Sequence, residues 1–201
     1  MYDSPNYPVT TREAEAFVRE MRAGTLIAVA AGGYPQVSIL PFVKDGDVID
    51  LHCVQDDPTF AAVRANPRVT FFVSDYLGFS PHDWVRADDA GRATLHFRAV
   101  AYECEAIIST DPADVARTLE ALVTHHEPGK TWAPVTDGDV YGPRLRRLAA
   151  LRLRVVKMHA KFKLGPAGDA ALKLDVARRM RERGEPNDAR AADEIERWVR
   201  R

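Results

Sequence analysis

The chain has 201 residues, 46% of them apolar and 28% charged, a globular composition that excludes a wholly disordered or collagen-like chain. One substantial core, with a short appendage, is what this length accommodates. The formal net charge of −1 gives no chain-wide electrostatic footprint for nucleic acid or an anionic membrane, so any such partner must use a local patch.

The N-terminus, Met1 to Thr11, lacks a basic start followed by an apolar stretch, and the longest apolar run, Leu26 to Ala31, is far too short to span a bilayer. The expectation is a cytoplasmic protein with no membrane partner. Thr10 followed by Glu13 forms a capping box, and Ala14, Phe17, Val18 and Met21 recur at helical spacing until Gly24, which predicts a short amphipathic helix. From Thr25 the period becomes strand-like: Leu26 to Ala31, Gln36 to Val43 and Val48 to Val54 are three strands joined by turns at Gly32-Gly33 and Lys44-Asp45-Gly46.

Asp57-Pro58 supplies an N-cap and a first-turn proline for a helix over Thr59 to Ala65, ended by Asn66-Pro67. Val69 to Val73 is a fourth strand, followed by a loop around Phe79-Ser80-Pro81. Thr94 to Ile108 is a long fifth strand. Asp111-Pro112 opens a helix with Val115, Leu119, Leu122 and His126 on one face. Asp139 to Ala149 reads as a further short helix and Leu151 to Leu164 as a sixth strand, alternating aliphatic with basic residues. Beyond Gly165-Pro166 two helices follow, about Asp169 to Arg183 and Asp188 to Arg200.

Six antiparallel strands with inserted helices exclude a doubly wound parallel sheet, which needs regular βαβ alternation. The fold class is α+β, mostly β, and a closed or nearly closed barrel removes the sheet edges. Cys53 and Cys104 fall inside strands and read as small buried hydrophobes. No G-x-S-x-G elbow and no Walker or Rossmann glycine pattern occurs. His125-His126-Glu127 lacks the i, i+4 spacing of a two-histidine metal face, so no metal site is expected, and the pair reads as favourable charge at a helix C-terminus. The basic tail, Lys173, Arg178, Arg179, Arg181 and Arg183 followed by Arg190, Arg197, Arg200 and Arg201, is interleaved with acids and reads as solvated helices with intrahelical pairs.

A string of local motifs resembles the PaiB-like family of FMN-binding negative transcriptional regulators. Met1-Tyr2 matches its opening, and Ile39-Leu40-Pro41-Phe42 its H-x-P-F motif with isoleucine for histidine. His52 to Phe60 matches H-x-x-x-x-N-P-x-W with Asp57 for asparagine. Ser80-Pro81 with Trp84, Ala93 to Phe97, and Ala160 to Ala167 match the remaining motifs in order. The resemblance implies a six-stranded Greek-key split barrel over residues 1–165 with a C-terminal helical extension over 166–201. It also implies a homodimer with FMN at the subunit interface, and DNA as a partner by family analogy alone.

By motif position the candidate cofactor-binding residues are Ser38, Ile39, Leu40, His52, Cys53, Val54, Thr59, Trp84, Lys161 and Lys163. A phosphate could also meet the free N–H groups of the helix after Pro58, against which Asp56 and Asp57 set two negative charges. Ile39, Asp57 and Pro166-Ala167 each remove a donor or add a negative charge where an anionic cofactor needs the opposite. FMN is therefore expected to bind more weakly than in a member with intact motifs. A flavin- or deazaflavin-dependent oxidoreductase of the wider pyridoxamine-phosphate-oxidase-like group and a barrel that has lost its cofactor remain open alternatives.

Overall fold

The structure, a computed structural model, describes residues 5–30 and 32–201. The Met1-Tyr2 motif, and Ala31 at the end of the first predicted strand, lie outside those residues. In chain order the elements are α1 (Thr11–Glu20), β1 (Ala23–Ala28), β2 (Gln36–Pro41), β3 (Val43–Asp45), β4 (Val48–Val54) and α2 (Pro58–Ala65). These are followed by β5 (Arg68–Ser80), β6 (Thr94–Ser109), α3 (Pro112–His126), α4 (Gly142–Leu145), β7 (Leu148–Lys163), α5 (Ala170–Arg183) and α6 (Asp188–Val199). The capping box at α1 forms as the sequence predicts: Thr10 N donates to Glu13 Oε2 at 2.8 Å and Glu13 N to Thr10 Oγ1 at 3.2 Å. Asp57 and Asp111 cap α2 and α3 by accepting from Thr59 N and Ala113 N, each at 2.8 Å.

The strands form an α+β arrangement around one sheet in the order β2-β1-β5-β6-β7-β4-β3. It has seven strands instead of the expected six, and it is not closed. The seventh arises because the predicted strand from Gln36 to Val43 breaks at Phe42. Pro41 has no N–H to give a ladder, and the Phe42 side chain turns inward, 3% exposed, to meet the Phe71 ring edge-on at 5.1 Å. Before the break β2 pairs with β1, Ser38 opposite Leu26; after it β3 pairs with β4, Val43 opposite Asp50. The two edges of the sheet are thus one residue apart in the chain but are not joined by a ladder. Gly24 opens the way for this packing, since a Cβ there would lie 2.4 Å from the Phe71 ring.

The predicted helix over Asp139 to Ala149 shrinks to Gly142–Leu145, because Leu148 and Ala149 are already laddered opposite Val54 and Cys53. Tertiary pairing there overrides local helix preference. β7 also departs from simple alternation. Leu151 and Leu153 are buried near its start, whereas Phe162, an even-numbered position, is buried near its end, so the inward parity changes along the strand.

Contacts divide the chain into two compact units. One comprises residues 18–73 and 101–159. Its core contains Leu26, Ile49, Leu51, Phe71, Tyr102, Leu151 and Leu153, each at most 1% exposed. A second layer, Val115 and Ala116 of α3 with Leu145, Leu148 and Ala150, covers part of the sheet. Full burial of each large aliphatic side chain contributes about 1.5–3 kcal/mol. The other unit comprises residues 1–17, 74–100 and 160–201. Here α5 and α6 bury Val176, Ala177, Met180, Ala191, Ala192 and Ile195, and Phe17 meets Phe162 edge-on at 5.4 Å. Gly78, at φ 156, admits this hairpin to β5: a Cβ would lie 3.0 Å from Met180 Cε. Among the described residues no helix is long and apolar enough to cross a membrane.

Candidate functional site

Seven of the ten motif-derived positions lie in the first unit, on β2, β4 and the start of α2. Strand geometry separates them by face. Ile39 is 77% exposed beside Val37 at 61%, while the intervening Ser38 turns the other way, and its hydroxyl sits 2.6 Å from Thr59 Oγ1. Leu40 follows Ser38 onto that inner face and is half-buried. The two hydroxyls therefore satisfy one another at the foot of α2, and Thr59 N is already taken by Asp57.

On β4, Cys53 and His52 point to opposite faces. Cys53 joins the core, and burial, followed by the charge of Asp57, pushes its thiol up to about 12, so it supplies no thiolate at neutral pH. Cys104 is likewise buried and raised to about 12, and both cysteines are free, as small core hydrophobes should be. His52 is half-buried opposite Ala150, on the face that α3 covers, and Val54 beyond it is 40% exposed. Burial lowers the His52 pKa, and Nδ1 is buried with no hydrogen-bond partner among the described residues. The neutral imidazole is favoured, and Nδ1 is donor or acceptor according to the tautomer.

Trp84, Lys161 and Lys163 lie in the second unit. The Arg183 guanidinium covers the Trp84 ring at 5.0 Å while also gripping Asp188 with two bonds of 2.7 and 2.9 Å. Lys161 and Lys163 share one half-buried face of β7. Three motif remnants, far apart in sequence, meet beside them. His96 Nδ1 accepts from Gly165 N at 3.1 Å, its Nε2 lies 3.0 Å from Ser80 Oγ, and both side chains are fully buried. Because a backbone N–H can only donate, Nδ1 is the acceptor and the hydrogen sits on Nε2, directed at Ser80. His96 therefore cannot take a proton from the serine, and the pair is a structural tie instead of a nucleophile with its base. Burial first, then the charges of Lys163 and Arg183, pushes the His96 pKa down to about 4.

The sequence reading missed a second buried cluster in this unit. Arg98, 8% exposed, reaches Asp75 at 2.9 Å and Glu194 at 3.3 Å, and lies 4.6 Å above the Phe17 ring. Asp75 also receives Arg190, and Glu194 receives Arg197 at 2.8 Å. Position within a strand gave no sign that Arg98 points inward. Some of the C-terminal cations form the intrahelical pairs expected, Arg178 and Arg179 on Asp175 and Arg200 on Glu196 at 3.2 Å, whereas Arg181 on Asp193 at 2.6 Å and Arg201 on Glu13 at 2.7 Å reach other elements. His126 lies in the last turn of α3. Its Nε2 donates to Phe42 O at 3.1 Å, and burial lowers its pKa, which favours the neutral ring. No cluster of metal-ligating side chains occurs among the described residues.

The arrangement is an antiparallel sheet with peripheral helices. Solved structures share it. The flavocytochrome Anf3 from Azotobacter vinelandii is 20% identical, with 84% of this chain and 79% of that one covered and a TM-score of 0.63. The FAD and heme binding protein from Mycobacterium smegmatis is 18% identical, covering 84% of this chain and 78% of that one, also at 0.63. No curated protein matches in sequence. Residues 1–157 match the family described as "Putative FMN-binding domain", and the chain belongs to that family.

The donor set fits the two halves of a flavin nucleotide unequally. Exposed Val37 and Ile39 offer a flat apolar wall of the kind an isoalloxazine ring uses. The phosphate fares worse at α2, where Asp57 occupies the cap and Ser38 and Thr59 bond to each other. His52 Nδ1 donates only in the tautomer that carries its hydrogen there, and no hydrogen bond of the ring selects that tautomer.

Proposed function

We propose that this protein is a PaiB-like homodimer that binds FMN or a related flavin at the subunit interface, with reduced affinity for the phosphate. The observation that carries the reading is the family match over residues 1–157. The apolar strand face of Val37 and Ile39, together with Val156 at 56% exposure, supplies surface for both the ring and a second subunit. Sedimentation at micromolar concentration is expected to give a dimer; a monomer would count against the interface reading.

The absorption spectrum of the purified protein, and titration of the apo-protein with FMN, test the flavin. Binding above the micromolar range is expected, and no binding up to about 1 mM would overturn the reading. Asp57→Asn keeps an N-cap residue while removing the charge, and is expected to tighten FMN roughly tenfold, the size of one unit charge acting a few ångströms away at the surface. An unchanged affinity would place the phosphate elsewhere.

A second reading, a flavin-dependent oxidoreductase, is favoured by the names of the two neighbours above, a flavocytochrome and an FAD and heme binding protein. Anaerobic reduction of the loaded protein by a nicotinamide or reduced deazaflavin separates the two. Transcriptional regulation rests on the family resemblance alone. With the basic tail neutralised internally, no tight, steeply salt-dependent binding to arbitrary duplex is expected.

A further inference from the structure

Trp84, one of the ten motif-derived positions, stands on a short 3₁₀ turn, His82–Trp84, closed by Val85 N and Arg86 N donating to His82 O at 2.9 and 2.8 Å. Pro81 gives that turn no side-chain cap, and the indole is half-buried. The outer torsion of an indole is broad, so a single backbone turn does not fix the ring. Its orientation depends on what packs against its face.

That partner comes from the far end of the chain. The Arg183 guanidinium carbon lies 5.0 Å from the centroid of the Trp84 ring, within cation–π range. Arg183 is the last residue of α5, which lies beyond the residues 1–157 that match the family. The guanidinium is itself held. Nε and Nη2 donate to Asp188 Oδ2 and Oδ1 at 2.9 and 2.7 Å, and Nη2 also donates to Phe79 O at 2.9 Å. Asp188 is 1% exposed and accepts a further bond from Glu185 N at 2.9 Å, so three charge-assisted bonds fix the carboxylate.

The hairpin that carries this pair is seated on β5. A Cβ at Gly78 would lie 3.7 Å from Asp188 Oδ1 and 3.8 Å from Ala191 Cβ, and Arg98 ties Glu194 of α6 to Asp75. Lys163, a second motif-derived position, is close enough for its charge to act, with that of Arg183, on His96. Burying an ion pair brings little net stability, because dehydration offsets most of the attraction. What the Asp188–Arg183 pair supplies is a fixed direction for the guanidinium, and through it for the indole.

We propose that Arg183 is a positioning residue of the flavin site: the C-terminal hairpin, through the Asp188–Arg183 pair, holds the Trp84 ring in the orientation that a flavin meets. The inference rests on the flavin reading above, and extends the site beyond the residues that match the family. A ring ordered in advance spares the ligand the cost of ordering it, which for one side chain amounts to about two- to tenfold in affinity.

The full chain labelled with fluorotryptophan tests it, with FMN as the titrant. Its three tryptophans give three fluorine resonances, and Trp84→Phe identifies the one that belongs to Trp84. FMN is expected to move that resonance. Arg183→Gln combined with Asp188→Asn removes both charges together, so that neither is left buried and unpaired. This variant is expected to shift or broaden the Trp84 resonance before any ligand is added, and to weaken FMN about two- to tenfold. Arg183→Lys, which keeps a charge beside Asp188 without the planar fork, is the milder change and should give an intermediate result. With Trp84→Leu in place, the combined variant should weaken FMN no further, because it acts through the ring. Ile195→Val, at a fully buried position of α6 outside the Arg183 contacts, should leave FMN affinity unchanged.

The proposal is overturned by a Trp84 resonance that ignores either FMN or the combined variant, by an FMN affinity that this variant leaves unchanged, or by losses that add when Trp84→Leu is present. An absence of FMN binding by the natural protein up to about 1 mM would instead sink the flavin reading and this inference with it. FMN binding that is indifferent to Trp84 and Arg183 sinks this inference alone.

Discussion

Replacing Arg98 by alanine is expected to destabilise the protein by about 3–5 kcal/mol, the range for removing one partner from a buried ion pair. The side chain is 8% exposed and sits between Asp75, also 8%, and Glu194 at 10%. Without it two nearly dehydrated carboxylates face each other, with Arg190 and Arg197, half or more exposed, as their remaining cations. The Phe17 ring also loses the cation above it. Arg98→Lys should recover only part of the loss, because an ammonium cannot present a planar fork to two carboxylates. The check is the urea midpoint with the slope unchanged; a loss below about 1 kcal/mol would mean that the two outer arginines hold the cluster unaided.

The second large effect is a loss of stability in acid that traces to His96. Its folded pKa is about 4 against an ordinary value of 6.5, so above pH 6.5 neither state is protonated and the stabilisation is complete. As pH falls below 6.5 the unfolded chain takes up a proton that the folded one refuses, and stability declines until about pH 4, by about 3 kcal/mol in all. Glutamine is the informative replacement. Its carbonyl can accept from Gly165 N and its amide can donate to Ser80, yet it does not titrate. The stability advantage of the natural protein over His96→Gln should therefore shrink by about 3 kcal/mol between pH 7 and pH 4. A difference that stays constant across that range would show that the imidazole titrates normally in the folded state.

Local chemistry made much of the fold legible. Thr10 with Glu13, Asp57-Pro58 and Asp111-Pro112 mark helix starts because each supplies its own partner for an orphan N–H within three residues. What escaped was decided across the chain. Phe42 breaks a strand because Phe71 is there to receive it, and Leu148 leaves a helical pattern because Val54 offers a ladder. The site was less legible still. Ser80, His96 and Gly165 were visible as motif remnants, but their meeting depends on a buried geometry that no spacing encodes. His52 and Cys53, adjacent in the motif, part company because a strand turns successive residues to opposite faces.

The ladder between β4 and β7 bears on how the protein is made. Asp50 is bound by Arg152, 102 residues later. On a ribosome adding about 5–20 residues per second, β4 waits roughly 5–20 s after synthesis before its neighbour exists. Through that interval Ile49, Leu51 and Cys53 belong to a nascent chain with one side of the strand unmatched, so the N-terminal half cannot complete its sheet on its own. Premature termination between Val54 and Leu148 would release a fragment with one edge of β4 unpaired, a natural client for chaperones that hold emerging chains.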